Sequence, residues 1–353
     1  SYTQMKQFAG SMGMRGIFVI VLMLLLTKAW AQLPTHEVSN RVAASDHISG
    51  AGSAMPVGLI SDLMVVGDYA DNEAGNGVGA VFSFKWNGSD WVEAQKIIPP
   101  NPQDGMWFGW SLSVDEQVDS GEAWLAVGAH RYAGNAGRVD LFERQGDLWV
   151  YKQTLENPGA NFYGFDLDIN VDIAPGQVIW QWDLVVGAPA HRFIPNSHNT
   201  GTVFVSMLNS LGLWTQGAIP LGAETFEGVN PQYGRSVALD GDVIIAGAPS
   251  LMVNGNKGAG AVAIFTRGQF SPWAGNTPIE NPDAIKDETQ GSNFGTDVDV
   301  VKQVVSPRNP TGEYYYLIGA PLKTINNDVG QVYLLEGNTW NTLNRPENVL
   351  GND

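Results

Sequence analysis

The side chains in this sequence able to do chemistry or grip a ligand are carboxylates, imidazoles and tryptophans. Cysteine is absent, which removes thiol nucleophiles, disulfides and thiolate metal sites together. The densest acidic set is Asp166-Leu167-Asp168-Ile169-Asn170-Val171-Asp172, with an oxygen at every second position and therefore, on a strand, along one face. Asp115, Asp119 and Glu122 around Ser120-Gly121 form a looser group that reads more readily as an ordinary acidic loop. Asp240-Gly241-Asp242 reads as a tight hairpin turn. The His residues at 36, 47, 130, 191 and 198 show no HExxH spacing, and there is neither a GxSxG elbow nor a phosphate-binding loop. His191 and His198 share the insertion Ala190 to Thr200, which reads as a solvated loop ahead of a metal pair. Carboxylate pairs for glycoside hydrolysis can come from different repeats, so spacing neither supports nor excludes them. Trp86, Trp107, Trp110, Trp180 and Trp182 stand outside any repeated slot, which suits either internal packing or stacking on a sugar or protein ligand.

The chain that must position these groups has a formal charge of −17, a surface that repels phosphate backbones and disfavours nucleic-acid partners. Its 353 residues include 42 Gly and 36 Trp, Tyr and Phe, a composition of many turns and aromatics that points to β structure. At the N-terminus, Lys6 and Arg15 precede an apolar run from Gly16 to Leu26, too short for a membrane span and of secretory length. Ala29-Trp30-Ala31 follows as a cleavage pattern. The expectation is a signal peptide over residues 1–31 and an exported chain, secreted or at the cell surface, without a transmembrane segment, over 32–353.

Internal repetition decides the architecture. An apolar strand ending in a small turn recurs with its Gly at 67, 128, 187, 247 and 319, spaced 61, 59, 60 and 72 residues apart. Each is followed by a strand opened as Gly-x-Val, at Gly79, Gly137, Gly201, Gly260 and Gly330, then by a turn and an aromatic strand at Trp91, Trp149, Trp214, Trp273 or Trp340. Four of the five are preceded by an aromatic-Gly pair: Phe108-Gly109, Tyr163-Gly164, Tyr233-Gly234 and Phe294-Gly295. Four short strands per unit, without room for a crossover helix, predict an antiparallel meander. Such a sheet cannot bury both faces alone, so the units must stack around an axis as blades of a propeller. The expected blades cover roughly 48–98, 108–155, 163–221, 233–279 and 294–343.

The pattern resembles the FG-GAP repeat, the blade unit of the β-propeller at the head of integrin α chains and of many exported bacterial proteins. Phe108-Gly109 and Phe294-Gly295 match its first half; Gly187-Ala188-Pro189, Gly247-Ala248-Pro249 and Gly319-Ala320-Pro321 match its second; Gly128-Ala129-His130 and Gly67-Asp68 are degenerate copies. The family's usual ring has seven blades, so five copies mean either a five-bladed ring or a fragment; the missing initial Met and the end at Asn352-Asp353, between blades, favour the fragment. The resemblance implies a calcium loop between first and second strands, for which Asp166, Asp168, Asn170 and Asp172 come nearest. Here the Gly and the closing Asp of that loop are displaced, and the alternative is an acidic strand facing solvent or the axial channel. Asp297 and Asp299 fall where Asp166 and Asp168 sit in the third repeat, with Ser111 and Ser236 in the corresponding slot; if first strands line the axis, the slot makes a polar, cation-attracting channel. The implied role is a non-enzymatic adhesion module that binds a surface or extracellular protein through loops such as Asp68 to Gly77, Ala190 to Thr200 and Leu251 to Gly258. The rival readings are a carbohydrate-binding propeller and a polysaccharide- or phosphoester-cleaving enzyme.

Overall fold

The computed structural model describes residues 56–157, 159–173, 180–191, 200–217, 230–267, 273–275, 279–282, 291–302, 313–325, 328–337 and 339–343. The expected signal peptide, and His36, His47 and His198, lie outside them. Among the described residues, no helix is long and apolar enough to cross a membrane.

Five antiparallel sheets follow one another along the chain, each a meander of four strands in sequence order. The first holds β1 (Val57–Leu59), β2 (Leu63–Asp68), β3 (Ala80–Trp86) and β4 (Trp91–Ile97). The second holds β5 (Ser111–Gln117), β6 (Glu122–Gly128), β7 (Val139–Gln145) and β8 (Leu148–Leu155). The third holds β9 (Leu167–Ile173), β10 (Trp180–Ala188), β11 (Thr202–Leu208) and β12 (Trp214–Gly217). The fourth holds β13 (Val237–Asp240), β14 (Val243–Ala248), β15 (Ala261–Arg267) and β16 (Trp273–Gly275), with the short β17 (Ile279–Glu280) also pairing with β15. The fifth holds β18 (Val298–Lys302), β19 (Tyr314–Ile325), β20 (Asp328–Glu336) and β21 (Thr339–Leu343). The all-β propeller built of five four-stranded blades stands as read from the repeat.

The register is the same in every blade. The small-turn Gly of the second strand pairs with the Val of the third: Gly67 with Val81, Gly128 with Val139, Gly187 with Val203, Gly247 with Val262 and Gly319 with Val332. Strands that are apolar on both faces, such as β14, require a neighbour on each side. Accordingly the core is divided among the seams: one cluster joins the first and second blades, and three more join the second to third, third to fourth and fourth to fifth. The aromatic-Gly pairs are the linchpins. Phe108, Tyr163, Tyr233 and Phe294 are fully buried, and the backbone N–H of each donates to the preceding blade, at Val78, Ala136, Thr200 and Ala259 respectively, over 2.8 to 3.3 Å. The carbonyl of the following Gly lies so close to the preceding blade that a Cβ on Gly187 would stand 2.0 Å from the Gly234 oxygen. Only glycine allows that approach.

The outer strands are clamped as well. The Gln95 side chain donates to and accepts from the Trp149 backbone at 3.0 and 2.7 Å, and Gln153 does the same to Trp214, both at 2.9 Å. The first strands β1, β5, β9, β13 and β18 lie side by side in chain order. They line the axis and position the site.

Candidate functional site at the axial mouth

Neighbouring first strands share no continuous backbone ladder, so the edge N–H groups of each need other acceptors. The side chains of the preceding strand supply them at alternate positions. Asp166 accepts from Val237 N–H, Asp168 from Leu239 N–H and Asn170 from Gly241 N–H, at 2.8, 2.8 and 2.9 Å. On the other side of β9, Asp115 accepts from Val171 N–H at 2.8 Å, and Ser113 accepts from Ile169 N–H while donating to Asp168 at 2.7 Å. Asp240 continues the pattern by accepting from Lys302 N–H at 2.6 Å.

This ladder accounts for the alternation of oxygens in the third repeat. Asp166, Asp168 and Asn170 do share one face, but each bonds a different N–H along β13 and the turn after it instead of converging on a point. Asp172 ends the row, with the Lys302 ammonium 3.5 Å away. Among the described residues, no group of three His, Asp or Glu side chains is arranged to hold a metal ion.

At one end of the axis, a cavity of 410 Å³ opens among all five blades. Its wall includes Tyr69, Trp110, Phe165, Asp166, Arg235 and Asp297. Their origin is regular. Trp110, Phe165, Arg235 and Thr296 each follow the Gly of an aromatic-Gly pair, and Ser111, Asp166, Ser236 and Asp297 come one residue later. Ser111 and Ser236 turn their hydroxyls to the next blade, donating to the carbonyls of Gly164 and Gly295 at 2.9 and 3.0 Å. Asp166 and Asp297 remain as the carboxyls of the wall. The slot thus places Asp166 and Asp297 in the wall of this cavity.

The mouth is rimmed by aromatics. Tyr69 lies 4.9 and 5.0 Å from the rings of Trp107 and Trp110, and the two indoles stack 5.3 Å apart. Arg131 lies 3.5 Å over Trp107, and Arg235 lies 4.7 Å over Phe165. His130 is buried behind this rim, 4.7 Å from Trp110 and 5.1 Å from Phe165. Burial pushes its pKa down to about 3, so the ring is neutral. Tyr69 and His130 occupy the slot that carries Pro in the third, fourth and fifth repeats. The degenerate copies of the small turn are therefore the ones that furnish the mouth.

Asp166 touches the cavity yet is surrounded by protein. Loss of hydration pushes its pKa up to about 7, against the pull of the Val237 and Leu167 N–H groups, with Asp168 and Asp297 adding like-charge repulsion. Asp168, one layer deeper, is raised to about 7 by the same loss of hydration. A carboxyl that keeps its proton near neutrality, beside a second carboxyl and an aromatic wall, can deliver that proton to an oxygen of a bound molecule.

The other single tryptophans divide. Trp182 is buried in the seam between the second and third blades, and Trp86 packs against Trp91, the rings 5.5 Å apart and tilted by 54°. Trp180 is exposed and lines a second cavity of 580 Å³ with Asp119, Glu122 and Asn209. That cavity collects two of the second repeat's acids; Asp115 goes to the axis. His191 is half-buried, its Nδ1 3.1 Å from the Gly159 carbonyl. Tyr69 and Arg235 are not singled out by the sequence reading, and His130 is named there without a place at the mouth. The signal that finds them is positional: the third residue of each small turn and the residue after each aromatic-Gly pair.

No protein-family profile matches the sequence, and no curated protein matches it. Solved structures similar to this chain include a thermostable family-43 glycoside hydrolase, at 11% identity and a TM-score of 0.39 over 82% of this chain and 92% of that one. Another is a putative exo-beta-1,3-galactanase from Bifidobacterium bifidum s17, at 9% identity and 0.42 over 83% and 91%. A third is an alpha-L-arabinofuranosidase from Lactobacillus brevis, at 10% and 0.41 over 79% and 89%. All three bear the names of glycoside hydrolases and none that of an adhesion protein. The expectation of a non-enzymatic adhesion module is corrected accordingly. At these scores the neighbours carry no assignment of activity, which has to rest on the residues of the mouth.

Proposed function

We propose that this propeller is a carbohydrate-cleaving enzyme whose reaction takes place at the axial mouth. The observation that carries the reading is the Asp166 carboxyl, its pKa pushed up to about 7 by burial, facing the same cavity as Asp297, Trp110 and Arg235. Glycosidic bonds are cleaved by two carboxyls, one giving a proton to the leaving oxygen and one acting on the opposite side of the sugar. In this arrangement Asp166 gives its proton to the glycosidic oxygen as the bond to the anomeric carbon breaks. Water adds to that carbon, and Asp297, which stands exposed at the mouth, takes the proton the water loses. Trp110 and Tyr69 offer ring faces for stacking on the sugar, and the Arg235 guanidinium donates to its hydroxyls. We further read each blade as an FG-GAP-type unit, supported by the aromatic-Gly and small-turn contacts at every described seam, and the chain as exported, supported by the charged and apolar pattern of residues 6–31.

The test is reducing-sugar release from a panel of plant, algal and bacterial polysaccharides by the wild type and by Asp166→Asn and Asp297→Asn. General acid–base catalysis of this kind is worth about 10²–10⁴-fold. Either variant is expected to lose about that much kcat without a fall in melting temperature, and wild-type activity to fall as pH rises past about 7, where Asp166 loses its proton. Release unaffected by Asp166→Asn, or no release from any substrate, overturns the reading.

A further inference from the structure

The chain carries 36 acidic residues against 19 basic ones, so an arginine that holds no carboxylate is out of the ordinary. Arg138 pairs with Asp140 at 3.0 Å, Arg144 with Asp62 and Glu116 at 2.9 Å, and Arg267 with Asp183 at 2.6 Å. Among the described residues only Arg131 and Arg235 are arginines without such a partner, and both stand at the axial mouth. Each is placed over an aromatic ring instead. Arg131, exposed on the rim, lies 3.5 Å over Trp107, and Arg235, half-buried in the cavity wall, lies 4.7 Å over Phe165. Trp110 lies between, 5.3 Å from Trp107 and 5.7 Å from Phe165, so three rings run from one guanidinium to the other. Both cations also act on the buried His130 ring and disfavour its protonation, so they share one neighbourhood. The arrangement carries a backbone cost. The residue before each aromatic-Gly pair has a left-handed φ, 53° at Asn293 but 59° at Trp107, and a bulky side chain opposes that conformation where Asn tolerates it. Trp107 nevertheless stands there, beneath Arg131.

We propose that the mouth binds an acidic polysaccharide, with Arg131 and Arg235 receiving the oxyanion groups of its sugars, uronate carboxylates or sulfate esters. The inference rests on the carbohydrate reading of the mouth and names its substrate class. A guanidinium over a ring face keeps its charge and its N–H groups for another partner, and its fork gives an oxyanion two parallel donors. A sugar whose face lies on Trp110 carries such a group at the ring edge, toward the cations on either side. The chain as a whole, at a formal −17, repels an acidic polymer, so these two side chains decide whether one is accepted.

Calorimetric titration of the Asp166→Asn protein, which leaves the probe uncleaved, compares an oligogalacturonate, its full methyl ester, a sulfated carrageenan oligomer and a neutral galactan oligomer. One of the two acidic probes is expected to bind about ten- to a hundredfold tighter than the ester and the galactan, and to weaken as salt is added while the neutral probes do not. A tighter oligogalacturonate identifies the carboxylate, a tighter carrageenan the sulfate. Arg131→Gln and Arg235→Gln are each expected to remove about tenfold of that preference with the melting temperature unchanged, and Arg235→Lys to keep part of it. With both arginines replaced, a neutral probe is expected to bind the better, because the remaining charge repels the acid. Equal binding of acidic and neutral probes, no binding of any probe, or an acid preference that survives both replacements overturns the inference. The two readings fail separately. Reducing-sugar release that survives Asp166→Asn removes the catalytic assignment and leaves the binding comparison standing, whereas a preference for neutral glycans in a protein that Asp166→Asn inactivates removes only the acidic class.

Discussion

Replacing Asp168 by Asn is expected to stabilise the protein at alkaline pH and to change little at acid pH. The carboxyl is enclosed along the axis, and loss of hydration lifts its pKa from 3.8 to about 7, although the Ser113 hydroxyl and the Leu239 N–H favour the charged form. Because the folded pKa is the higher one, the folded state holds more protons between pH 4 and 7. The stability that proton provides is complete below about pH 4 and is lost as pH rises through about 7. A displacement of about three pK units at roughly 1.4 kcal/mol each sets a ceiling of about 4 kcal/mol. Asn stays neutral throughout and keeps both partners, its oxygen toward Leu239 N–H and its amide N–H toward Ser113 Oγ. Urea unfolding followed by tryptophan fluorescence at pH 4.5, 6, 7 and 8 measures the difference. The variant is expected within about 1 kcal/mol of wild type at pH 4.5 and about 2–4 kcal/mol more stable at pH 8. The other axial carboxyls largely cancel in the comparison. A variant less stable than wild type by an amount that grows as pH rises from 4.5 to 8 would mean that Asp168 braces β13 as an anion, and the account of the site would fail with it. Asp168 also raises the proton affinity of Asp166, so the alkaline limb of any hydrolytic activity should move to lower pH in the same variant.

Gly187→Ala places a methyl 2.0 Å from the Gly234 carbonyl, so differential scanning calorimetry should show a loss of about 3 kcal/mol or more. Arg138 and Asp140 form a fully buried pair at 3.0 Å, and burial already lifts Asp140 to about 6. Arg138→Met leaves that carboxyl without its cation, which should cost about 3–5 kcal/mol at pH 8 and clearly less at pH 5, where the carboxyl takes a proton; denaturation at the two pH values checks it. Trp110→Ala removes a stacking face from the mouth and should raise KM for a polysaccharide substrate about tenfold or more, leaving the melting temperature within a few degrees.

Much of the fold is legible because its determinants are local. The Gly-x-Val openings, the hairpin turns and the Trp of each outer strand repeat at fixed spacing, and strand pairing follows the alternation of apolar residues. The small-turn glycines and the third-strand Val could each be aligned from sequence, and the structure pairs them in every blade. The purpose of the acidic alternation could not be read in the same way. A row of oxygens at every second position suits a cation and a neighbouring strand edge equally well. The choice depends on where Val237, Leu239 and Gly241 present their N–H groups, 71 residues further on. The mouth is similar: Tyr69, the pair Trp110 and His130, and Arg235 come from three different repeats and meet only when the blades close around an axis.

Periodicity and turn chemistry act within some sixty residues, so the repeated antiparallel blade, its strand order and the five copies can be read along the chain. Which carboxyls brace the axis and which of them is pushed toward keeping its proton follow from the folded arrangement. Burial, desolvation and the approach of one blade's backbone to the next are properties of distance in space, which spacing along the chain does not encode.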